Sequence, residues 1–261
     1  MNLIEQKFKE LKRARKKAFI AFITAGYPNL SVTENLVKEF DAVGVDIVEL
    51  GVPFTDPMAD GPIIQEASQH ALKHGVRLAD ILNLVENVRA KVNLPICLMT
   101  YFNPVFCFGQ ERFVKEAVGA GVDGVVIPDL PFEESKDLLW FANRGNLDVI
   151  QFLAPTSTMK RIKMITRAAR GFIYYVSLTG TTGARKTLPQ DLKENLLMIK
   201  KHTEKPVCAG FGISTSAQVK EISRVCDGVI VGSAIVKKIK ENIGSPDLVR
   251  KTGSFIKALK G

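Results

Sequence analysis

Short runs of apolar residues alternate with longer stretches in which apolar positions return every three or four residues. The short runs lie at 18–24, 45–50, 95–100, 122–127, 147–153, 172–178, 206–210 and 227–232. They are rich in Val and Ile and almost unbroken by polar residues, as expected of parallel strands covered on both faces. The longer stretches, at 31–43, 63–74, 80–91, 110–119, 133–144, 157–170, 188–201 and 214–224, carry the period of amphipathic helices. Most successive strands begin 21 to 34 residues apart, room for a strand and a crossover helix. The interval between the second and third is longer and holds an extra helix. No linker or low-complexity segment interrupts the series, so the expectation is one domain spanning 1–261.

Part of this series repeats. GVDIVELGVP (44–53) resembles GVDGVVIPDLP (121–131) and, more weakly, CDGVIVG (226–232). Eight strand–helix units with internal similarity predict a closed (β/α)8 TIM barrel, with an extra N-terminal helix as well as the one between strands 2 and 3. An open doubly wound sheet is the alternative. It normally brings a G-x-G-x-x-G turn after its first strand, and ITAGYPN is not one. In a barrel the chemistry belongs at the C-terminal strand ends and the loops after them.

Composition narrows the function class. The chain has 261 residues, 46% hydrophobic and 24% charged, ordinary for a soluble globular protein. The apolar run AFIAFI is too short for a secretory core and reads as a strand. The four cysteines, Cys97, Cys107, Cys208 and Cys226, contain no C-x-x-C pair and fit a reducing compartment, hence a cytoplasmic location. The net charge of +9 is unevenly spread: residues 1–17 and 237–261 each carry seven basic and two acidic side chains, leaving the rest at −1. Both segments read as amphipathic helices, the first with Leu3, Ile4, Phe8 and Leu11 on one face. The excess is thus a solvated helical face rather than a basic stripe for nucleic acid or membrane.

Candidate chemistry follows from the barrel frame. Glu49 stands where the repeat has Val126. It shares a strand face with Val45 and Ile47, a carboxyl near the barrel top in apolar surroundings. Desolvation there would let it both give and take a proton. A structural ion pair with a Lys or Arg is the competing reading. The loop GVPFTDPMADGP (51–62) holds Asp56, which Asp-Pro turn chemistry explains, and Asp60, just before a helix. Three Gly-rich segments, TGTTGAR (179–185), AGFGIS (209–214) and VGSAIV (231–236), come after the last three strands. The latter two lead into helices and suit a phosphate, or else are plain tight turns. The first, with Arg185 and Lys186 beyond it, reads as a lid over 179–187. His70 and His74 have the spacing of a metal pair but no third ligand, so no metal is expected. One of Tyr174 and Tyr175 must face the interior, with core packing the default for both.

ELGVPFTDPMADGP (49–62), FITAGYPN (22–29), PICLMTYFNPV (95–105), PDLPFEES (128–135), FLAPTST (152–158), YYVSLTGTTGAR (174–185), AGFGIS and VGSAIVKKI together resemble the tryptophan synthase α-subunit family over essentially the whole chain. The resemblance implies a lyase that splits indole-3-glycerol phosphate into indole and glyceraldehyde 3-phosphate, in the last steps of tryptophan biosynthesis. It implies proton transfer by Glu49 and a hydrogen bond from the indole N–H to Asp60. It places phosphate at Gly183, Gly212, Gly232 and Ser233, and the rest of the substrate against Phe22, Tyr174, Thr182, Gly210 and Phe211. Pyridoxal phosphate would belong to a partner β subunit in an α2β2 complex, with none in this chain. The β subunit would dock around Pro53, Pro57, Asn103, Phe106 and Pro131. Leu178 stands where some members have Arg, and Thr181 where Val is common. A free-standing lyase without a β partner, and a non-catalytic phosphosugar binder, are the alternatives; Glu49 and Asp60 both being present speaks against the latter.

Overall fold

The computed structural model describes residues 2–176 and 191–261. Eight parallel strands close on themselves in chain order: β1 (Ala18–Thr24), β2 (Ile47–Gly51), β3 (Ile96–Met99), β4 (Gly124–Val126), β5 (Asp148–Leu153), β6 (Ile173–Val176), β7 (Val207–Gly210) and β8 (Gly228–Val231). Helices succeed the strands: α2 (Leu30–Ala42) after β1, then α3 (Pro62–Lys73) and α4 (Leu78–Arg89) after β2. Next come α5 (Phe102–Phe108) and α6 (Gln110–Ala120), α7 (Lys136–Gly145), α8 (Met159–Ala168), α9 (Leu192–Lys200) and α10 (Ser216–Ser223). The chain ends in α11 (Ser233–Lys240) and α12 (Leu248–Lys260), and α1 (Leu3–Arg13) precedes the first strand. No described helix is long and apolar enough to cross a membrane.

The doubly apolar strands are explained by two packed layers. One face of each strand meets the helices. The other fills the barrel, where Ile20, Ile47, Cys97, Val126, Ile150, Phe172, Cys208 and Ile230 form one cluster. Ile4, Phe8 and Leu11 of α1 join that inner cluster, so the apolar face of the first helix stoppers the barrel's lower end. Asn2 starts α1 by accepting the Glu5 N–H at 3.1 Å, and Phe8 meets Phe172 with ring centroids 5.8 Å apart. Strand alternation predicts Val45 on the inward face with Ile47 and Glu49. It precedes the strand and packs in the helix-facing layer instead.

The repeat has a structural meaning that its spacing alone does not reveal. Its aspartates sit at the lower rim and bolt neighbouring strands together. Asp46 accepts the Phe19 N–H at 2.8 Å, Asp123 the Ile96 N–H at 2.9 Å, and Asp227 the Val207 N–H at 3.1 Å. Asp123 also binds Arg89 at 2.8 Å, and Asp227 binds Lys200 at 2.7 Å.

Three expectations are corrected. The segment 237–261 is not one helix: Gly244, at φ +84°, and Pro246 break it between α11 and α12. The expected helix over 133–144 is a 3-10 turn, Phe132–Glu134, and then α7. Helix α5 is not predicted by the apolar pattern. It has only seven residues and contains Pro104, tolerated in the first turn. Its start is set from a distance by Asp129, whose carboxylate accepts the Phe102 N–H at 2.9 Å.

Candidate active site

At the C-terminal ends of the strands the barrel opens into a cavity of about 520 Å³, within the range of small-molecule sites. Phe22, Ile64, Met99, Phe152, Tyr174 and Ile230 contribute apolar walls. Asp60, Gly210, Phe211, Gly212, Gly232 and Ser233 line the same space. Every substrate position expected from the sequence and lying within the described residues is therefore gathered here. Thr182 and Gly183, like the lid over 179–187 with Leu178 and Thr181 near it, lie outside the described residues.

Glu49 is the exception in placement. It alternates inward with Ile47 along β2 and pairs in register with Phe22 of β1 and Cys97 of β3. It is completely buried but does not itself line the cavity. Neither carboxyl oxygen has a hydrogen-bond partner among the described residues. The structural ion pair that would have made Glu49 an ordinary buried acid is thus not found among them. Burial alone pushes its carboxyl up to about 8, so it holds a proton at neutral pH. Tyr174 lies near enough for a Glu49 charge to push the tyrosine hydroxyl further above its ordinary value, beyond the effect of burial.

Asp60 reaches the cavity by a different construction. Loop 51–62 is anchored at its start by the Val52 N–H, which donates to the Met99 carbonyl at 2.8 Å. At its end Gly61 caps α3, Pro62 occupies the first helical position, and Gln65 donates to the Asp60 carbonyl at 2.8 Å. Between them Phe54 stacks on Tyr101, centroids 5.2 Å apart. The Tyr101 hydroxyl accepts the Ala59 N–H at 3.0 Å and donates to the Asp60 carboxylate. Burial raises the Asp60 carboxyl, and the Tyr101 hydrogen bond pulls it back down. Asp56 is exposed and accepts from its neighbour Thr55, in keeping with turn chemistry.

Glycines and a helix start line another part of the cavity. Close approach fixes Gly210: a Cβ there would stand 2.7 Å from the Tyr174 hydroxyl. Gly212 has φ +63°, a conformation that favours glycine. Ser233 opens α11, whose N-terminus has no side-chain cap. Its first amide groups therefore remain available to a ligand's negative charge. Both Gly-rich segments lead into helices as expected, but the two helix starts differ. Helix α10 begins past Gly212 and carries a capping box of Thr215 and Gln218.

Of the two tyrosines, Tyr174 lines the cavity and Tyr175 packs outward in the core. His70 contacts the Pro28 carbonyl at 3.0 Å, and His74 the His70 carbonyl at 2.8 Å. No group of His, Cys, Asp and Glu among the described residues is arranged to hold a metal. Sequence reasoning does not single out Tyr101, Thr156, Ser157 or Arg161. The last three belong to the loop and helix after β5 and line the cavity. Their signal is present in the chain, since FLAPTST stands at a C-terminal strand end. The docking face is mixed. Asn103, Phe106 and Pro131 are exposed, Pro57 is half-buried, and Pro53 is buried and offers no surface. Met58 adds apolar surface beyond the expected set, 82% exposed.

Residues 8–257 match the family described as tryptophan synthase alpha chain. The chain is 44% identical to the tryptophan synthase alpha chain of Thermoanaerobacter pseudethanolicus over 260 residues, covering 100% of this chain and 99% of the relative. It is 47% identical to that of Geotalea daltonii, again over 260 residues, covering 100% and 98%. Its structure is similar to that of tryptophan synthase subunit alpha from Legionella pneumophila, with a TM-score of 0.93 and 35% identity over 99% of this chain and 97% of that one. A chain of tryptophan synthase from Mycobacterium tuberculosis matches with a TM-score of 0.90 and 34% identity, covering 100% and 99%.

Proposed function

Because the chain belongs to the tryptophan synthase alpha chain family, a lyase family of tryptophan biosynthesis, we propose that it cleaves indole-3-glycerol phosphate to indole and glyceraldehyde 3-phosphate. One observation carries this reading. A single cavity joins a buried carboxylate and apolar walls suited to an indole ring to an uncapped helix start suited to phosphate, and behind its Phe22 wall lies a carboxyl with no hydrogen-bond partner among the described residues.

The reaction is a retro-aldol cleavage, and its proton balance fits the two acids. Protonated Glu49 donates to indole C3, turning the ring into an electron sink. The bond between C3 and the glycerol carbon then breaks, and its electron pair restores the indole. The hydroxyl on that carbon becomes the aldehyde and returns its proton to the Glu49 carboxylate. One group thus ends as it began, which suits a carboxyl poised near neutrality. Because Glu49 is sealed from the cavity surface in this structure, donation requires its side chain to turn into the cavity. Asp60 accepts the indole N–H and opposes the positive charge that grows on the ring, a charge present mainly in the transition state. Gly212, Gly232, Ser233 and the amide groups opening α11 receive the phosphate, with Gly183 assigned to it, and Thr182 to the rest of the substrate, by the family resemblance. Pyridoxal phosphate is assigned to the β chain of the complex and takes no part in this step.

Incubating the purified chain with indole-3-glycerol phosphate, with and without a β subunit, and assaying indole tests the proposal. Indole release by the wild-type chain supports it. Tight phosphosugar binding without indole release in either mixture would leave a non-catalytic binder.

A further inference from the structure

Among the described residues lining the cavity, only two carry charge: Asp60 and Arg161. Asp60 already has its task at the indole end. Arg161 is the sole described cation facing a cavity whose proposed substrate is a phosphate dianion, and any role for it toward that dianion rests on the proposed reaction. It sits in the first turn of α8, its own N–H held by Thr158 at 3.3 Å, which fixes where the side chain starts. Thr156 and Ser157, immediately before that turn, line the cavity with it.

Among the described residues its guanidinium makes one ion pair, Nη1 to Glu133 at 2.8 Å. Glu133 stands in the 3-10 turn after β4 and does not line the cavity. Both side chains are substantially exposed, 37% and 47%. An exposed pair of this kind holds weakly and is screened by salt. A guanidinium has five N–H donors, and an approaching phosphate can exchange with a monodentate carboxylate on the outer side.

We infer that Arg161 is the capture residue for the phosphate of the substrate: it draws the dianion to the cavity mouth, with Glu133 as the competing anion that holds it in place beforehand. Arg161 is a binding and specificity residue in this role and takes no part in proton transfer. Neutral indole has nothing to gain from it.

The test compares wild type with Arg161→Gln, Arg161→Lys and Glu133→Gln. Steady-state kinetics at low and high salt are combined with equilibrium binding of glycerol 3-phosphate and of neutral indole. Arg161→Gln should lower kcat/KM about tenfold at low salt with kcat unchanged, and the deficit should shrink toward nothing near 0.5 M salt. Its affinity for glycerol 3-phosphate should fall by a similar factor while indole binding stays put. Arg161→Lys should restore most of the loss, and Glu133→Gln should raise kcat/KM at low salt. Equal glycerol 3-phosphate affinity in wild type and Arg161→Gln overturns the inference, as does a deficit that salt does not change. The binding arm needs no turnover. A wild-type chain that releases no indole therefore sinks the proposed reaction, and the capture role is still decided by the affinities.

Discussion

The distinctive residue is Glu49, because it is buried without a hydrogen-bond partner among the described residues and not merely buried. A carboxyl raised to about 8 in the native state, against 4.5 ordinarily, keeps a proton that the unfolded chain releases. Stability from this group therefore falls as pH rises from about 4.5 to about 8, and the loss is complete above that. Glu49→Gln removes the slope. Urea midpoints of wild type and variant should diverge in favour of the variant between pH 5 and pH 8.5. Its turnover should drop by about 10²-fold or more with substrate binding retained, the range expected for a lost acid–base group. The wild-type rate should decline above pH 8 as the resting acid loses its proton, and a rate unchanged from pH 7 to 9.5 would exclude that role. Tyr101→Phe tests the second acid. It removes the hydroxyl that lowers the Asp60 carboxyl, so Asp60 should titrate at higher pH and the acidic limb of the rate profile should move up. The loss of a hydrogen bond to a carboxylate predicts a fall in kcat of about tenfold. A profile identical to wild type would show that Tyr101 only fills space.

At the scale of elements, α1 and the lower-rim aspartates do the structural work so that the upper rim can be left to chemistry. Phe8 is 7% exposed and packs against the barrel's inner cluster. Phe8→Ala should cost about 3–5 kcal/mol of unfolding free energy, as deletion of a buried aromatic does. The native cavity lies at the opposite end of the barrel, so kcat measured well below the melting temperature should stay near wild type. A fall in kcat without a fall in stability would mean that α1 communicates with the site. The two short helix starts make the complementary point. Helix α10 caps its own start with Thr215 and Gln218, whereas α11 has no side-chain cap.

For the whole molecule, membership of an alpha chain family implies a β-chain partner, and the exposed apolar residues near the barrel mouth are where we place it. Phe106 is 63% exposed and Met58 82% exposed, unlike the buried Pro53. Phe106→Asp should weaken binding to a cognate β subunit by more than about 1 kcal/mol, the cost of losing an interface anchor. Sedimentation would read this as dissociation at concentrations where wild type stays bound, and the stimulation of indole release by β should be lost in parallel. Unchanged affinity would move the interface elsewhere. The net charge of +9 does not enter the cavity itself, where the described charged lining is one acid and one arginine.

The eight strands, their parallel order and Glu49 as an acid in an apolar strand were legible in the chain, because strand periodicity and the repeat are local properties. So was Asp60, set by proline and glycine at the entry to α3. What depended on distant partners was not. Helix α5 donates its first N–H to Asp129, and Tyr101 matters only because Phe54 and Ala59 fold onto it. The aspartates of the repeat show their purpose only when each neighbouring strand presents an N–H. Arg161 becomes significant only when the cavity proves to hold no other described cation. Local pattern determined which residues would form strands and helices and which strand carried the acid. Closure of the barrel decided which groups were buried with no partner among the described residues, and desolvation, a property of the whole surround, decided what those groups could do.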